Sequence, residues 1–275
     1  MAIRRCIPLL GTYVEIEVDG AFHEDELLDV SSAVIDEISR IQVLMSYHDP
    51  ESELSKINRL RAGGELGISR DMLKVLEFAL DLGERTAGKF DVTMARHLVA
   101  RGILPDLEFP VKEGASWRDI RLEGDLLRVD SELAIDLGGI AKGYAVDCAQ
   151  KVCDPEMSVV INAGGDLTMS EWEGKSAAIR VPGSEGRLVS IPMRASALAT
   201  SAAYFSTDGM NPIVNPSDGK PAGGDTSYSV FAGSCMIADA LTKVAFLVDD
   251  CSSIFSHYGA TALQLDAGGN IIREI

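Results

Sequence analysis

Ile135-Asp136-Leu137-Gly138-Gly139-Ile140-Ala141-Lys142-Gly143 sits near the middle of the 275-residue chain and decides how both halves are read. A short apolar strand ends near Leu137. Two glycines then allow the backbone a close approach, and a helix runs from Ala141 to Val152. The free N–H groups and dipole of a helix N-terminus attract anions, and Lys142 adds a full positive charge in the first turn. The segment suits a phosphate or nucleotide, yet it carries neither the Walker nor the Rossmann glycine pattern. A tight strand-to-helix turn with a solvated lysine fits the same residues.

Strands and helices alternate outward from this turn. Upstream, Tyr13 to Val18 alternates like a half-buried strand. Glu24 to Met45 places Leu27, Val30, Val34, Ile35, Ile38 and Ile41 at helical spacing, and Ser52 caps a further helix start. A helix over Arg70–Thr86 has Ser69 as N-cap and Gly88 as its stop. Ile103–Glu113 reads as a loop, and Ile120–Val129 as a hairpin turning at Gly124-Asp125. Downstream, strands are expected at Val159–Asn162, Ala177–Val181, Val189–Met193 and Tyr228–Ala232. A helix follows at Ile237–Val248, and a closing hairpin spans Leu263–Ile272. Asn211–Gly224, dense in Pro, Gly, Asn and Asp, is irregular. Frequent hairpin signals predict an α+β fold with mixed or antiparallel sheets flanked by helices. No linker cuts the chain, so residues 1–275 are expected to form a single domain.

The net charge of -17 sets the sign of any partner. Such a surface repels nucleic acid phosphates and anionic lipid heads, so neither is expected. The five cysteines, Cys6, Cys148, Cys153, Cys235 and Cys251, include no C-x-x-C pair and point to a reducing compartment. No apolar run reaches membrane-spanning length, and the N-terminus lacks a secretory core. As it stands the chain reads as cytoplasmic; a periplasmic protein whose signal had been removed would read the same.

Three further segments carry chemistry. Asn162-Ala163-Gly164-Gly165-Asp166 follows a buried strand, where two glycines admit either a ligand or a simple bend. Lys89-Phe90-Asp91-Val92-Thr93 offers an aromatic, a carboxylate and a hydroxyl beside a helix end, which suits a planar heterocycle as well as loop packing. In Ala238-Asp239-Ala240-Leu241-Thr242-Lys243-Val244, Asp239, Thr242 and Lys243 share one helical face. Asp239 there is either a helix-start carboxylate or an oxygen ligand for a hard cation.

Taken together and in order, these segments resemble the ApbE family of FAD:protein FMN transferases. Leu10-Gly11-Thr12, SYHDPESELSKIN, GKFDVT, DLGGIAKGYAVD, NAGGD, ALATSAAY, NPSDGKP and ADALTKV each resemble a family block, and together they span nearly the whole chain. The resemblance implies FAD in a cleft between two lobes. It also implies Mg²⁺-dependent transfer of FMN from FAD to a threonine or serine of a target flavoprotein, releasing AMP. By position, Leu10, Lys89, Phe90, Asp91, Asp136, Lys142 and Ile213 would contact FAD. Gly139, Asp239 and Thr242 would hold the metal, with Asp239 and Lys142 as the catalytic residues.

Two departures stand out. Where the family carries His-x-x-Asp-Pro-x-x-Gly, this chain has Pro212 for the histidine and Asn215 for the aspartate, and neither accepts a proton near neutral pH. Where the family carries Asp-x-x-x-Thr, the threonine position holds Lys243, and Thr242 comes one residue early. An FAD pyrophosphatase and a non-catalytic FAD-binding protein are therefore the alternative readings.

Overall fold

The computed structural model describes residues 1–106, 109–184, 186–202, 211 and 213–275. Described residues fall into two compact units. One draws on Met1–Gln42, Ile140–Tyr204 and Gly223–Ile275, the other on Val43–Gly139 and Phe205–Ala222.

The chain opens on a hairpin, β1 (Ala2–Leu9) and β2 (Thr12–Asp19). Strand β2 was legible from its alternation, and Val14, Ile16 and Val18 are buried. Strand β1 was not expected, because its inward face carries Arg5. That guanidinium is satisfied by the Ser31 and Ser32 hydroxyls at 3.1 and 2.9 Å. Helix α1 (Glu24–Met45) has the predicted bounds and buries Leu27, Val34, Ile38 and Ile41.

The second unit holds α2 (Glu53–Asn58), β3 (Glu65–Gly67), α3 (Arg70–Arg85), α4 (Ala95–Ala100), β4 (Ile120–Glu123) and β5 (Leu126–Val129). Ser52 caps α2 and Ser69 caps α3, each accepting a backbone N–H, and Glu53 accepts the Ser69 hydroxyl at 2.7 Å. The three strands pair antiparallel in the order β3-β5-β4, with the hairpin turn at the expected Gly124-Asp125.

The strand expected to end near Leu137 is absent; Leu133, Ala134, Ile135 and Leu137 are buried, but residues 132–137 form no ladder. A side chain does the pairing instead. The Asn58 amide donates to the Ile135 carbonyl at 2.9 Å and accepts the Ile135 N–H at 2.7 Å. The Asp136 N–H donates to the Val92 carbonyl at 2.8 Å. Buried backbone groups must be paired, and one asparagine meets that need where a neighbouring strand would. Asn58→Leu strands both Ile135 groups in the interior and is expected to destabilise the protein by about 2–4 kcal/mol. Asn58→Asp, which keeps the acceptor, should fall between the two in urea denaturation.

In the first unit, α5 (Ala141–Lys151) leads to β6 (Ser158–Ala163) and β7 (Asp166–Met169). The hairpin β8 (Ser176–Arg180) and β9 (Leu188–Pro192) follows, then β10 (Ala197–Ala202) and β11 (Ser227–Ala232). Helices α6 (Cys235–Leu247) and α7 (Ser252–His257) precede the closing strands β12 (Thr261–Leu265) and β13 (Ile271–Glu274). Eight strands form one antiparallel sheet in the order β1-β2-β6-β7-β10-β11-β12-β13.

Register fixes what each face of that sheet carries. Leu167 opposes Leu198, which opposes Phe231. These three pack with Ile179, Ile191, Met193, Leu263 and Leu265, so the β8–β9 hairpin covers this face. Burying a side chain such as Phe231 contributes roughly 1.5–3 kcal/mol. The alternate face brings Asp166 opposite Ala199. Ser201 lies on the same face two residues on, and its hydroxyl meets that of Thr242 in α6 at 2.7 Å. Small residues on this side let α6 approach closely and leave Asp166 facing the helices.

Candidate functional site

The Gly-Gly turn of NAGGD is a two-residue hairpin. Ala163 opposes Asp166, and Gly164 and Gly165 both have positive φ, 68° and 109°. Such turns match the natural twist of paired strands. What approaches the backbone here is the chain itself: a Cβ on Gly164 would lie 2.4 Å from the Thr12 hydroxyl. The turn aims Asp166 at the start of α5.

Four charged side chains meet there. Lys142 Nζ lies 2.6 Å from Asp166 Oδ2 and 3.5 Å from Asp239 Oδ2. Lys243 Nζ bonds Asp239 Oδ1 and also donates to the Asp239 carbonyl at 3.1 Å. The Gly143 N–H donates to Asp239 Oδ2 at 3.2 Å. The carboxylates are buried, with side chains 5% (Asp166) and 1% (Asp239) exposed, whereas the lysines are 31% (Lys142) and 18% (Lys243) exposed. Negative charge lies underneath and positive charge above it, and formally the four cancel.

The electrostatics follow from that layering. Burial alone would push the Asp239 carboxyl up, but Lys142 and Lys243 outweigh it and hold its pKa below the usual range. Asp166 is pushed up, first by burial and then by the charge of Asp239, against the pull of Lys142 and Lys243. Burial acts to lower Lys142, yet Asp166 and Asp239 hold it above the ordinary lysine range, so it stays protonated. Burial raises the neighbouring Cys235 thiol well above its usual value, which leaves it neutral.

A third carboxylate sets the helices. Asp147 of α5 accepts the Ser234 hydroxyl at 2.5 Å and the N–H groups of Cys235 and Met236 at 2.7 and 3.0 Å. These cap the N-terminus of α6, where a negative charge is favoured. The α5 and α6 backbones then meet at Gly143, where a Cβ would lie 2.3 Å from the Cys235 carbonyl oxygen.

Of the residues expected to bind the metal, Asp239 and Thr242 sit on α6, but their atoms are otherwise engaged. Thr242 is fully buried, and its hydroxyl donates to the Asp239 carbonyl at 2.7 Å and pairs with Ser201. Both Asp239 carboxylate oxygens have an ammonium group beside them. A divalent cation needs bare oxygens and is repelled by an adjacent ammonium, so this donor set does not fit magnesium. Among the described residues no cluster of three His, Cys, Asp or Glu side chains makes an alternative. Gly139, the third expected ligand, precedes α5 in the turn and offers only backbone.

The remaining expected residues lie elsewhere in the two units. In the second unit Lys89, Phe90 and Asp91 follow the end of α3, where Ala87 and Gly88 have positive φ. The Phe90 N–H donates to the Thr86 hydroxyl at 3.0 Å. Asp91 accepts the Thr93 N–H and hydroxyl at 2.8 and 2.7 Å and the Trp117 N–H at 3.4 Å. Burial still outweighs these bonds and raises its carboxyl. The bond between Asp136 N–H and Val92 brings Asp136 beside this turn. Nearby, burial and the charge of Asp136 push the Tyr47 phenol up to about 12, and its buried hydroxyl has no hydrogen-bond partner among the described residues. Ile213 is buried, its N–H donating to Asn211 at 2.8 Å. Leu10 belongs to the first unit, at the β1–β2 turn with φ 55°, and its N–H donates to Gln42 at 2.5 Å. Pro212 lies outside the described residues. Asn215 organises its loop, accepting the Ser217 N–H and hydroxyl at 3.2 and 2.9 Å.

Asp166 and Lys243 complete the cluster without having been expected there as site residues. NAGGD gave a signal for Asp166 only once its strand register was known. Lys243 was visible as a departure and as a neighbour of Asp239 on one helical face, but it was not counted among the site residues.

The family model of the ApbE family matches residues 10–254. The chain belongs to the ApbE family. Relatives from two organisms carry the name FAD:protein FMN transferase. That from Vibrio cholerae is 29% identical over 222 residues, covering 72% of this chain and 66% of the relative. That from Chlamydia pneumoniae is 26% identical over 231 residues, covering 76% and 73%. The ApbE protein of Thermotoga maritima superimposes with a TM-score of 0.83 at 26% identity, covering 99% of this chain and 97% of its own. The Vibrio cholerae structure described as flavin transferase ApbE gives 0.82 at 22% identity, covering 100% and 96%, and shares the fold. The α+β, antiparallel ApbE fold is thus the architecture of this chain. Among the described residues no helix is long and apolar enough to cross a membrane.

Proposed function

We propose that this ApbE-family chain transfers the FMN half of FAD to a threonine or serine hydroxyl of an acceptor flavoprotein and releases AMP. The observation that carries the reading is the Lys142–Asp166–Asp239–Lys243 cluster at the start of α5. It presents two ammonium groups held in place by buried carboxylates, in a chain whose relatives bear the name of this activity. FAD is the substrate. The acceptor oxygen attacks the FMN-side phosphorus, the bond from that phosphorus to the bridging oxygen breaks, and AMP departs with that oxygen. The hydroxyl proton is lost to solvent. Charge builds on the bridging and equatorial oxygens, and fixed positive groups that need no reorganisation stabilise it.

Lys142 and Lys243 supply that charge, and Asp166 and Asp239 orient them. Lys89, Phe90, Asp91, Asp136, Ile213 and Leu10 are proposed to contact the rest of FAD. Asp91 acts there mainly by shaping the turn that presents Phe90. The acidic surface makes nucleic acid an unfavourable partner and a basic acceptor segment a favourable one.

The test is product analysis. Purified protein, FAD and a threonine-bearing acceptor domain should give AMP in step with a covalent flavin adduct seen by in-gel fluorescence and mass. AMP and free FMN without acceptor would show a pyrophosphatase instead. Neither product with any acceptor, despite FAD binding, would show a carrier.

A further inference from the structure

We infer that Lys243 occupies the place of a divalent cation in this site, so that the chain handles its diphosphate substrate without a metal. The inference deepens the function proposed above and rests on it only for the identity of the diphosphate. Three observations carry it. The Lys243 ammonium bonds one oxygen of Asp239 and Lys142 approaches the other at 3.5 Å, while the Gly143 N–H also points at this carboxylate. Thr242, the hydroxyl in reach on the same helix, is turned inward and bonded on both sides. Both lysine side chains keep partial exposure while their carboxylates are buried, so the positive partners lie on the more open side of the cluster.

A lysine cannot coordinate as magnesium does, but it does supply a positive charge fixed to the helix. An ammonium is a compact charge with three donors. Two of them on one buried carboxylate pair give a diphosphate the charge complement that one divalent ion would. The carboxylates keep the pair from repelling each other when no anion is present. Occupancy is then set by folding, and the affinity for FAD should not depend on metal concentration.

Two measurements decide this. The first uses Mn²⁺ alone, titrated into the protein while the free ion is followed by EPR. Wild type should leave the added Mn²⁺ free, and Lys243→Thr, confirmed folded by circular dichroism, should take up one ion per chain. The second follows FAD binding by flavin fluorescence in excess EDTA and in excess Mg²⁺. Wild type should bind equally in both. Lys243→Thr should bind roughly tenfold more weakly in EDTA than in Mg²⁺, and Lys243→Met should bind weakly in both.

Stoichiometric Mn²⁺ binding by wild type that Asp239→Asn abolishes would overturn the inference, as would wild-type FAD binding that requires Mg²⁺. A folded Lys243→Thr that gains no Mn²⁺ would overturn it too. Failure of every form to bind FAD would instead remove the proposed function, while the Mn²⁺ arm would still report on Lys243.

Discussion

Lys142→Met is expected to lower FMN transfer by on the order of 10³-fold, the usual loss when one preorganised donor to developing charge is removed. The substitution keeps most of the length of the side chain and takes away its charge. Asp166 then loses the ammonium at 2.6 Å, and Asp239 keeps only Lys243. Removing one partner of a buried pair destabilises by about 3 kcal/mol, because the other charge is left uncompensated. The Asp166 carboxyl is already raised by burial and by Asp239. In the variant it rises further and takes up a proton in the folded state. A carboxyl whose folded pKa lies above its unfolded value contributes stability at low pH that is lost as pH rises through the folded value. The gap between variant and parent should therefore widen in urea denaturation as pH rises above the ordinary carboxylate range. A variant that kept its turnover within tenfold of the parent would place Lys142 outside the reaction centre.

Gly143→Ala should give a large loss of stability from the smallest change of side chain. A methyl group has no room where its carbon would sit 2.3 Å from the Cys235 carbonyl oxygen and 2.8 Å from the Met236 Cα. Both obstacles are backbone, so neither rotates away; α5 and α6 have to separate. Overpacking of this kind costs about 1–3 kcal/mol and more where the neighbours are rigid. For a chain of this size that lowers the thermal midpoint by roughly 5–10 °C. The same displacement stretches the Gly143 N–H bond to Asp239 and opens the cluster, so FAD affinity should fall together with stability. Gly67→Ala, which meets nothing within 4 Å, serves as the control and should change neither.

Much of this fold can be read from periodicity. Helix α1 matched because four of its apolar positions are fully buried on one face. Strand β1 escaped because a charge on its inner face is answered by two serines on α1, a pairing that no local pattern reveals. Strand β10, Ala-Leu-Ala-Thr-Ser-Ala, lacks the bulk that marks a strand, since it must make room for α6. The apolar run through Leu137 imitates a strand because it is as deeply buried as one, yet its partner is the Asn58 amide.

The site divides in the same way. Lys142 and Asp239 were legible because they stand in local patterns beside helix starts. Asp166 depends on strand register, and the grip of Lys243 on Asp239 depends on how a long side chain folds back along α6. The first relation lies outside any window of a few residues; the second spans only four, and what stayed hidden was that Lys142 takes the other oxygen of the same carboxylate.

The pairing of β2 with β6 has a bearing on how the protein is made. Asn162 bonds Glu15 across 147 positions of sequence, and every rung between these strands is comparably distant. At a synthesis rate of ~5–20 residues per second, the amino-terminal hairpin emerges roughly 7–30 seconds before its neighbour does. A lone two-stranded hairpin is marginal in water, so during that interval one edge of the future sheet stays open beside the ribosome. The segment Val43–Gly139 has emerged by then, but the second unit still awaits its Phe205–Ala222 part. The sheet that carries Asp166 is assembled last, by the slow long-range closure that high contact order imposes.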